Sequence, residues 1–527
     1  MNKQAGKTRK WVLTGMSLSL LVPMLAACNS GDSANDPDNR RTLRVGTMYG
    51  SKSDESWFRQ QFTDMFEFTH SNIDIEVVPA IDYSEMQFED YSKQQEPVDQ
   101  MAKLKEIMTG SDPVDVMIIN DMNMLGQLVN DNLLKQLDPM INEDKIDVSE
   151  FVPTVIDGIK EQGDGFLYAL APTFQSSALY YNKKLFTKQG VEFPQDGMSW
   201  DDVFNLAKRM KSGSGKDAIF GFTFNQWGAG DNFWDFQSFA APLQLRMFDE
   251  KGETMTVNTP QWQNLWETIA QMKKDRVTPS QEDMNYEQPQ GENYRYNPFQ
   301  GQLFLNGKVA MTIGDYGMIN QIQQMNDNSD KLKMEKLEWD VVTVPYHVGK
   351  EGFGGNIYLN QLAGINANAR NSDDAWEFVK FMNGKDWAKL KSRSTYELSA
   401  RKEFVKVRDG MSYNIEAFTK MKPAPLQGSS IKEQELYREK PNLNLINEMG
   451  SMLFSQVMQG SKSAKDALAL WQEKGNDLLQ KIKNNPKGNI ENPFDGINTD
   501  NGGGGGGGIS LEKRAIMEAA GEAVTID

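Results

Sequence analysis

Cys28, which closes the stretch "SLLVPMLAAC", is the only thiol in 527 residues. An internal disulfide and a thiolate metal cluster are therefore excluded. Histidine is nearly as scarce. His70 ends a helical pattern and His347 follows "VTVPY", far away in the chain, so a His-dependent triad or a zinc site has little material. No HExxH, P-loop or dinucleotide fingerprint occurs. Carboxylates are plentiful, and two of them working as in a glycosidase stay open on counting alone. The Asp/Asn-rich "NNPKGNIENPFDGINTDNG" lacks the spaced ligands of a calcium loop and reads as solvated. No cofactor or metal is expected. Binding chemistry is better represented. "FNQWGAGDNFWDFQSF" (224–239) interleaves aromatics with Asn, Asp and Gln. Sugars offer apolar C–H faces and a ring of hydroxyls, which such side chains suit. Trp227 is assigned to that surface, and the later aromatics Phe233, Trp234 and Phe236 to core.

The first 27 residues have their own logic. Lys3, Lys7, Arg9 and Lys10 precede an uncharged, mostly apolar run from Trp11 to Ala27. A basic start, an apolar run and small residues before a cut make a secretory signal. The run is short for a bilayer span, and Pro23 interrupts it. "LAAC" also resembles the bacterial lipobox, where a signal peptidase cuts before a lipid-modified cysteine. That resemblance makes Cys28 the acylated start of the mature chain. Residues 28–41 are polar and rich in turn formers, as a flexible tether would be. The formal net charge is −17, and removing a leader with four cations and no acids leaves about −21. So acidic a body argues against nucleic acid.

The elements that must position these residues alternate as in α/β proteins. "TLRVGTMY" (42–49) and "IDIEVVPA" (73–80) read as strands flanking a helix over 56–69, and "DVMIIN" (115–120) as a buried strand. Right-handed crossovers then give an open sheet, whose ligands bind beyond the carboxyl ends of the strands. Three further helices are marked by their caps. One is Ser199 with Asp202 and a Met198–Val203 staple. Thr259-Pro260 opens the next, carrying Trp262, Leu265, Trp266 and Ile269 on its core face. The third starts at Ser372 and is closed by Gly384.

The order of these pieces resembles that of bacterial extracellular solute-binding proteins. "DVMIINDMNMLGQLVNDNLLKQLDPMI" resembles their strand, loop and helix before "gLL-pLD". "YALAPTFQSSALYYNKKLF" and the following "MSWDDVFNLAKRMK" resemble their "lyYNkdlf" and "TWdE" stretch. "FLNGKVAMTIGDYGMIN" and "GGNIYLNQLAGINANARNSDDAWEFVKFMNG" complete the series. The resemblance implies an α/β protein of two hinge-linked lobes, the type II periplasmic-binding-protein fold, closing over ligand in a cleft. It further implies a receptor for an ABC importer that captures an oligosaccharide at the outer face of the membrane and hands it to permease subunits. By the same resemblance Tyr316 stacks on sugar, Gln175 and Trp227 line the cleft, and Tyr49, Asp121, Asn123, Gly355 and Asn356 face it. The membrane is met through the anchor at Cys28, and a monomer is expected.

The implied boundaries are 42–172 with 358–400 for the first lobe and 173–357 with 401–495 for the second. Residues 496–527 hold seven consecutive glycines and read as linker and tail. Two other readings stay open: a surface enzyme acting on polysaccharide, and the same fold binding a peptide or serving as a sensor.

Overall fold

The computed structural model describes residues 40–86, 98–228, 232–280, 283, 297–354, 357–359, 361–424 and 431–497. Cys28, Gly355, Asn356 and the glycine-rich tail lie outside the described residues. From Arg40 onward the chain makes β1 (Arg41–Gly50), β2 (Ile73–Asp82), β3 (Val116–Ile119), β4 (Ala169–Leu170) and β5 (Thr173–Phe174). It then builds β6 (Ser177–Asn182), β7 (Phe220–Thr223), β8 (Val309–Asp315), β9 (Trp339–Val342) and β10 (Phe353–Gly354) in a second unit. β11 (Leu362–Ile365) and β12 (Leu398–Ser399) return to the first unit, and β13 (Lys422–Pro423) belongs to the second. The two compact units are 1–175 with 358–406, and 176–357 with 407–527.

The first unit is a five-stranded sheet in the order β2-β1-β3-β11-β4. β1 runs parallel to β2 and β3, with Val45 opposite both Val77 and Val116, while β11 lies antiparallel to β3 and β4. β3 is buried along its whole length, as its unbroken apolar run requires. The expected helix over 56–69 forms as two pieces, Glu55–Phe62 and Asp64–Thr69, broken only at Thr63. Phe58, Phe62 and Phe66, four residues apart, give it one buried stripe. Buried Asp115 ties the middle strand to its neighbours, accepting from the backbone N–H of Arg44 at 3.1 Å and of Asn371 at 2.9 Å. The helix Ser372–Met382 does not end on Gly384. Asn383 follows its last turn, and Gly384, with a φ of −76°, begins the next helix, Lys385–Lys391.

The second unit is a four-stranded sheet in the order β7-β8-β6-β9. β7 and β8 are parallel, and β6 is antiparallel to both β8 and β9. The helix Trp200–Met210 carries the full capping box: Ser199 and Asp202 satisfy each other's backbone donors at 3.2 and 2.9 Å. Its Ala207 carbonyl approaches Gly221 of β7 so closely that a Cβ there would lie 2.0 Å from the oxygen. Trp262 and Trp266, on the helix Pro260–Lys274, are buried as their spacing predicts. They pack against Trp471 at ring separations of 5.5 and 5.7 Å. Trp471 belongs to the long helix Ala464–Asn484, which with Asn444–Met458 fills this core from the far end of the sequence.

Candidate functional site

In the first unit the parallel strands β1 and β3 end side by side, and the antiparallel β11 begins at the same edge, Leu362 facing Ile119. Tyr49, Asp121, Asn123 and Gln175 all fall on this edge of the sheet. Tyr49 stacks on Tyr83 with ring centres 5.4 Å apart and planes 8° from parallel, and both rings remain exposed. Partial burial and then the neighbouring phenol raise the Tyr49 pKa, against a hydrogen bond with Gln100 that lowers it. Tyr83 carries no motif and was not legible as a partner. Only the pairing of β1 with β2 puts it beside Tyr49.

Asp121 caps the helix Met122–Asn130, its Oδ1 accepting from the backbone N–H groups of Asn123 (2.8 Å) and Met124 (2.9 Å). The cap orients the carboxylate and leaves the half-buried Asn123 side chain on the first turn. Gln175 exchanges both backbone hydrogen bonds with Tyr358, each 3.0 Å. Tyr358 is partly exposed, and burial raises its pKa. The signal that could have found it is the aromatic in "NIYLN", between the glycine pair and β11.

In the second unit Trp227 follows β7 and Tyr316 follows the parallel neighbour β8, so both leave the same end of that sheet. Trp227 projects from a turn and is 60% exposed. Asn225 accepts from the backbone N–H of Trp227 at 2.7 Å and donates to Asp235 at 2.5 Å, and Asn232 donates to the other Asp235 oxygen at 2.7 Å. These amide-to-carboxylate bonds tie the start of the aromatic stretch to Asp235 in its middle. Phe233 and Phe236 are core, as expected, but Trp234 is 74% exposed. The helix Phe233–Ala240 explains this: positions three apart share its buried face, and position 234 is turned about 100° from 233.

Tyr316 is only 4% exposed. Its ring meets Phe418 edge-on at 5.5 Å, its backbone N–H donates to the Ser176 carbonyl at 3.1 Å, and the Arg408 guanidinium covers one face. Arg408 also donates its backbone N–H to the Tyr413 hydroxyl at 3.2 Å. Burial, with Tyr316 adding to it, raises the Tyr413 pKa well above the ordinary phenol range. Tyr413 stacks on Trp339 and Trp339 on Tyr180, at 5.3 and 5.6 Å. A recess of about 1510 Å³ elsewhere in this unit is lined by Phe204, Asn232, Met272 and Phe454, with neither Tyr316 nor Trp227 among its lining residues. His347 is buried, and one ring nitrogen bonds the Phe239 carbonyl at 2.7 Å. Among the described residues no three of His, Cys, Asp and Glu are placed to hold a metal ion, and no helix is long and apolar enough to cross a membrane.

Two mixed α/β units, each with binding-type side chains at the open end of its sheet, define a class of two-lobe solute binders. Residues 49–389 match the family described as bacterial extracellular solute-binding protein, and the chain belongs to it. Among curated relatives, an sn-glycerol-3-phosphate-binding periplasmic protein, UgpB, of Brucella melitensis is 22% identical over 351 residues, 64% of this chain and 72% of that protein. A Brucella abortus protein named only as a binding protein is 25% identical over 261 residues, and the match spans 57% of its length and 49% of this chain. Among solved structures, a sugar transporter of Rhizobium etli in an open conformation aligns with a TM-score of 0.54 at 18% identity, over 83% of this chain and 99% of that one. The sugar-binding protein MalE of Xanthomonas citri aligns with a TM-score of 0.53 at 15% identity, over 84% and 98%. The fold is that of the two-lobe periplasmic solute-binding proteins.

Proposed function

We propose that this protein is the lipid-anchored, extracytoplasmic receptor of an ABC importer, capturing an oligosaccharide and delivering it to permease subunits without chemical change. The observation that carries the reading is the aromatic equipment at the sheet ends. Tyr49 and Tyr83 present exposed stacked rings, Trp227 projects from its turn, and Asn123, Asp121 and Gln175 lie on the same edge as the tyrosines. Flat apolar faces beside amides and a carboxylate suit a chain of sugar rings. Solved neighbours named as a sugar transporter and as a sugar-binding protein support it. Acylation of Cys28 would hold the receptor near its permease and raise the effective concentration there.

A phosphate-bearing small molecule is the second reading. Arg408 beside Tyr316 supplies a cation, and several curated relatives are named for sn-glycerol 3-phosphate. A thermal-shift screen of the chain from residue 29 onward, against oligosaccharides, sn-glycerol 3-phosphate, amino acids and peptides, separates the readings. A ligand at a hundredfold excess over its dissociation constant stabilises the folded state by about 2.7 kcal/mol. A stable shift with an oligosaccharide supports the sugar receptor. A shift with only the phosphate ester or peptides overturns it, and one that decays as product appears means an enzyme.

A further inference from the structure

β12 brings an acid to Gln175 that no motif announces. Leu398 lies opposite Phe174 and Ser399 opposite Thr173, and the Ala400 N–H donates to the Pro172 carbonyl at 2.9 Å. One step the other way, the same register puts Glu397 opposite Gln175. Gln175 uses its own backbone N–H and carbonyl on its other edge, for the two bonds with Tyr358. The Glu397 N–H likewise turns away, donating to the Ser394 hydroxyl at 3.1 Å. Gln175 and Glu397 thus form a non-hydrogen-bonded pair, the kind whose side chains approach most closely. Directly opposed residues share one face of a ladder, so Glu397, Gln175 and Tyr358 make a row. Thr173, two residues before Gln175, points to the same side.

This row runs from the interior outward. Thr173 is fully buried, Glu397 is 6% exposed, Gln175 is half-buried and Tyr358 is exposed at 38%. Burial raises the Glu397 pKa, against the Thr173 hydroxyl and the Lys391 ammonium, which lower it. Lys391 acts from beyond ion-pair distance. It donates to the Gln61 side chain at 3.2 Å and lies 5.2 Å from the centre of the Trp387 ring. Among the described residues Glu397 makes no ion pair. A carboxylate has about four acceptor sites, and the Thr173 hydroxyl has one proton to give. The acid therefore keeps unused acceptor capacity, beside an amide and a phenol at the edge that also carries Tyr49 and Asn123.

We propose that Glu397 is a ligand-binding residue of the first unit, accepting hydrogen bonds from neighbouring hydroxyls of a neutral sugar, and that its charge selects against phosphate esters. The inference rests on the reading of this protein as an oligosaccharide receptor and adds a selectivity to it. Hydroxyls donate strongly to an ionised carboxylate, and two adjacent ones can meet both of its oxygens. A phosphate in the same place meets like charge where water screens little.

The experiment is isothermal titration of the chain from Asn29 onward, with Glu397→Gln and Glu397→Asp beside it. The probes are maltotriose, cellotriose, xylotriose, mannotriose, any oligosaccharide that the thermal-shift screen returns, glucose 1-phosphate and sn-glycerol 3-phosphate. The unaltered chain should bind a neutral oligosaccharide and neither phosphate ester. Glu397→Gln keeps the shape and removes the charge. It should weaken the oligosaccharide about tenfold and strengthen glucose 1-phosphate relative to it, with the unliganded melting temperature maintained. Glu397→Asp withdraws the carboxylate but keeps its charge, so it should weaken the oligosaccharide and still reject both phosphates. A residue that only supports the fold would shift both ligand classes alike. Equal oligosaccharide affinity in the parent and both variants overturns this inference and leaves the receptor reading standing, as does an equal loss for every ligand with a lowered melting temperature. A parent that prefers a phosphate ester, or binds no oligosaccharide, removes the receptor reading and this inference with it.

Discussion

The guanidinium carbon of Arg408 sits 4.6 Å from the centre of the Tyr316 ring, and its Nε donates to the Tyr316 hydroxyl at 3.3 Å. The position that the family resemblance gives to a sugar-stacking aromatic is thus buried and already covered on one face. A cation over a partly desolvated ring contributes about 1 kcal/mol. Arg408→Ala should lower unfolding free energy by about that amount, read from urea denaturation. Tyr316→Ala empties a packed site and should cost about 3 kcal/mol or more. Tyr316→Phe keeps the ring and is the variant with which to test ligand contact. If Tyr316→Ala is tolerated without loss of stability, the burial described above is incorrect.

Trp227 presents the opposite case. Its side chain is mostly in solvent while its backbone is held by Asn225. Trp227→Ala should leave the melting temperature unchanged and weaken oligosaccharide binding about tenfold, the effect of losing one stacked ring. Isothermal titration with the ligand found by thermal shift checks it. Unchanged affinity would remove Trp227 from the site.

His347 gives a pH dependence of known sign. Burial lowers its pKa from the ordinary 6.5, outweighing the Phe239 carbonyl and Asp201, which raise it. In the unfolded chain the imidazole takes a proton as pH drops through about 6.5, while the folded state resists it. The unfolded state then binds more protons, so stability is full above that pH and declines below it. His347→Gln should flatten the part of this decline that sets in as pH drops below about 6.5. Denaturation midpoints at several pH values measure the slope, and a variant as steep as the parent refutes the assignment.

Gly221 is constrained by backbone and not by a movable side chain. A methyl group there would meet the Ala207 carbonyl oxygen at 2.0 Å, where the helix Trp200–Met210 crosses β7. Gly221→Ala should destabilise the second unit by about 2 kcal/mol or more, since strand or helix has to shift. An unchanged melting temperature would mean that the helix is free to move away.

Local pattern made much of this protein legible. The capping box at Ser199 and Asp202, the Trp262/Trp266 stripe and the unbroken apolar run of β3 are set by residues within a few positions of one another, and all three form as the sequence implies. Gly384 shows the limit. A glycine after a helix suits a left-handed end, yet here Asn383 ends one helix and Gly384 opens the next. Trp234 shows another, since composition grouped it with Phe233 and Phe236 while helical phase turned it outward.

The sequence by itself determined the α/β class, the family, the order of the main elements and most of the core faces, because periodicity and caps are properties of neighbouring residues. It also singled out Tyr49 and Asp121 by their place after strands, and Trp227 by the aromatic and amide composition around it. Only the tertiary structure decided what touches them. Tyr83 reaches Tyr49 because β1 pairs with β2, and Tyr358 meets Gln175 because two chain segments run antiparallel. Arg408 covers Tyr316 although 92 positions separate them. Such contacts depend on strand order and on the return of distant segments, and no local spacing encodes either.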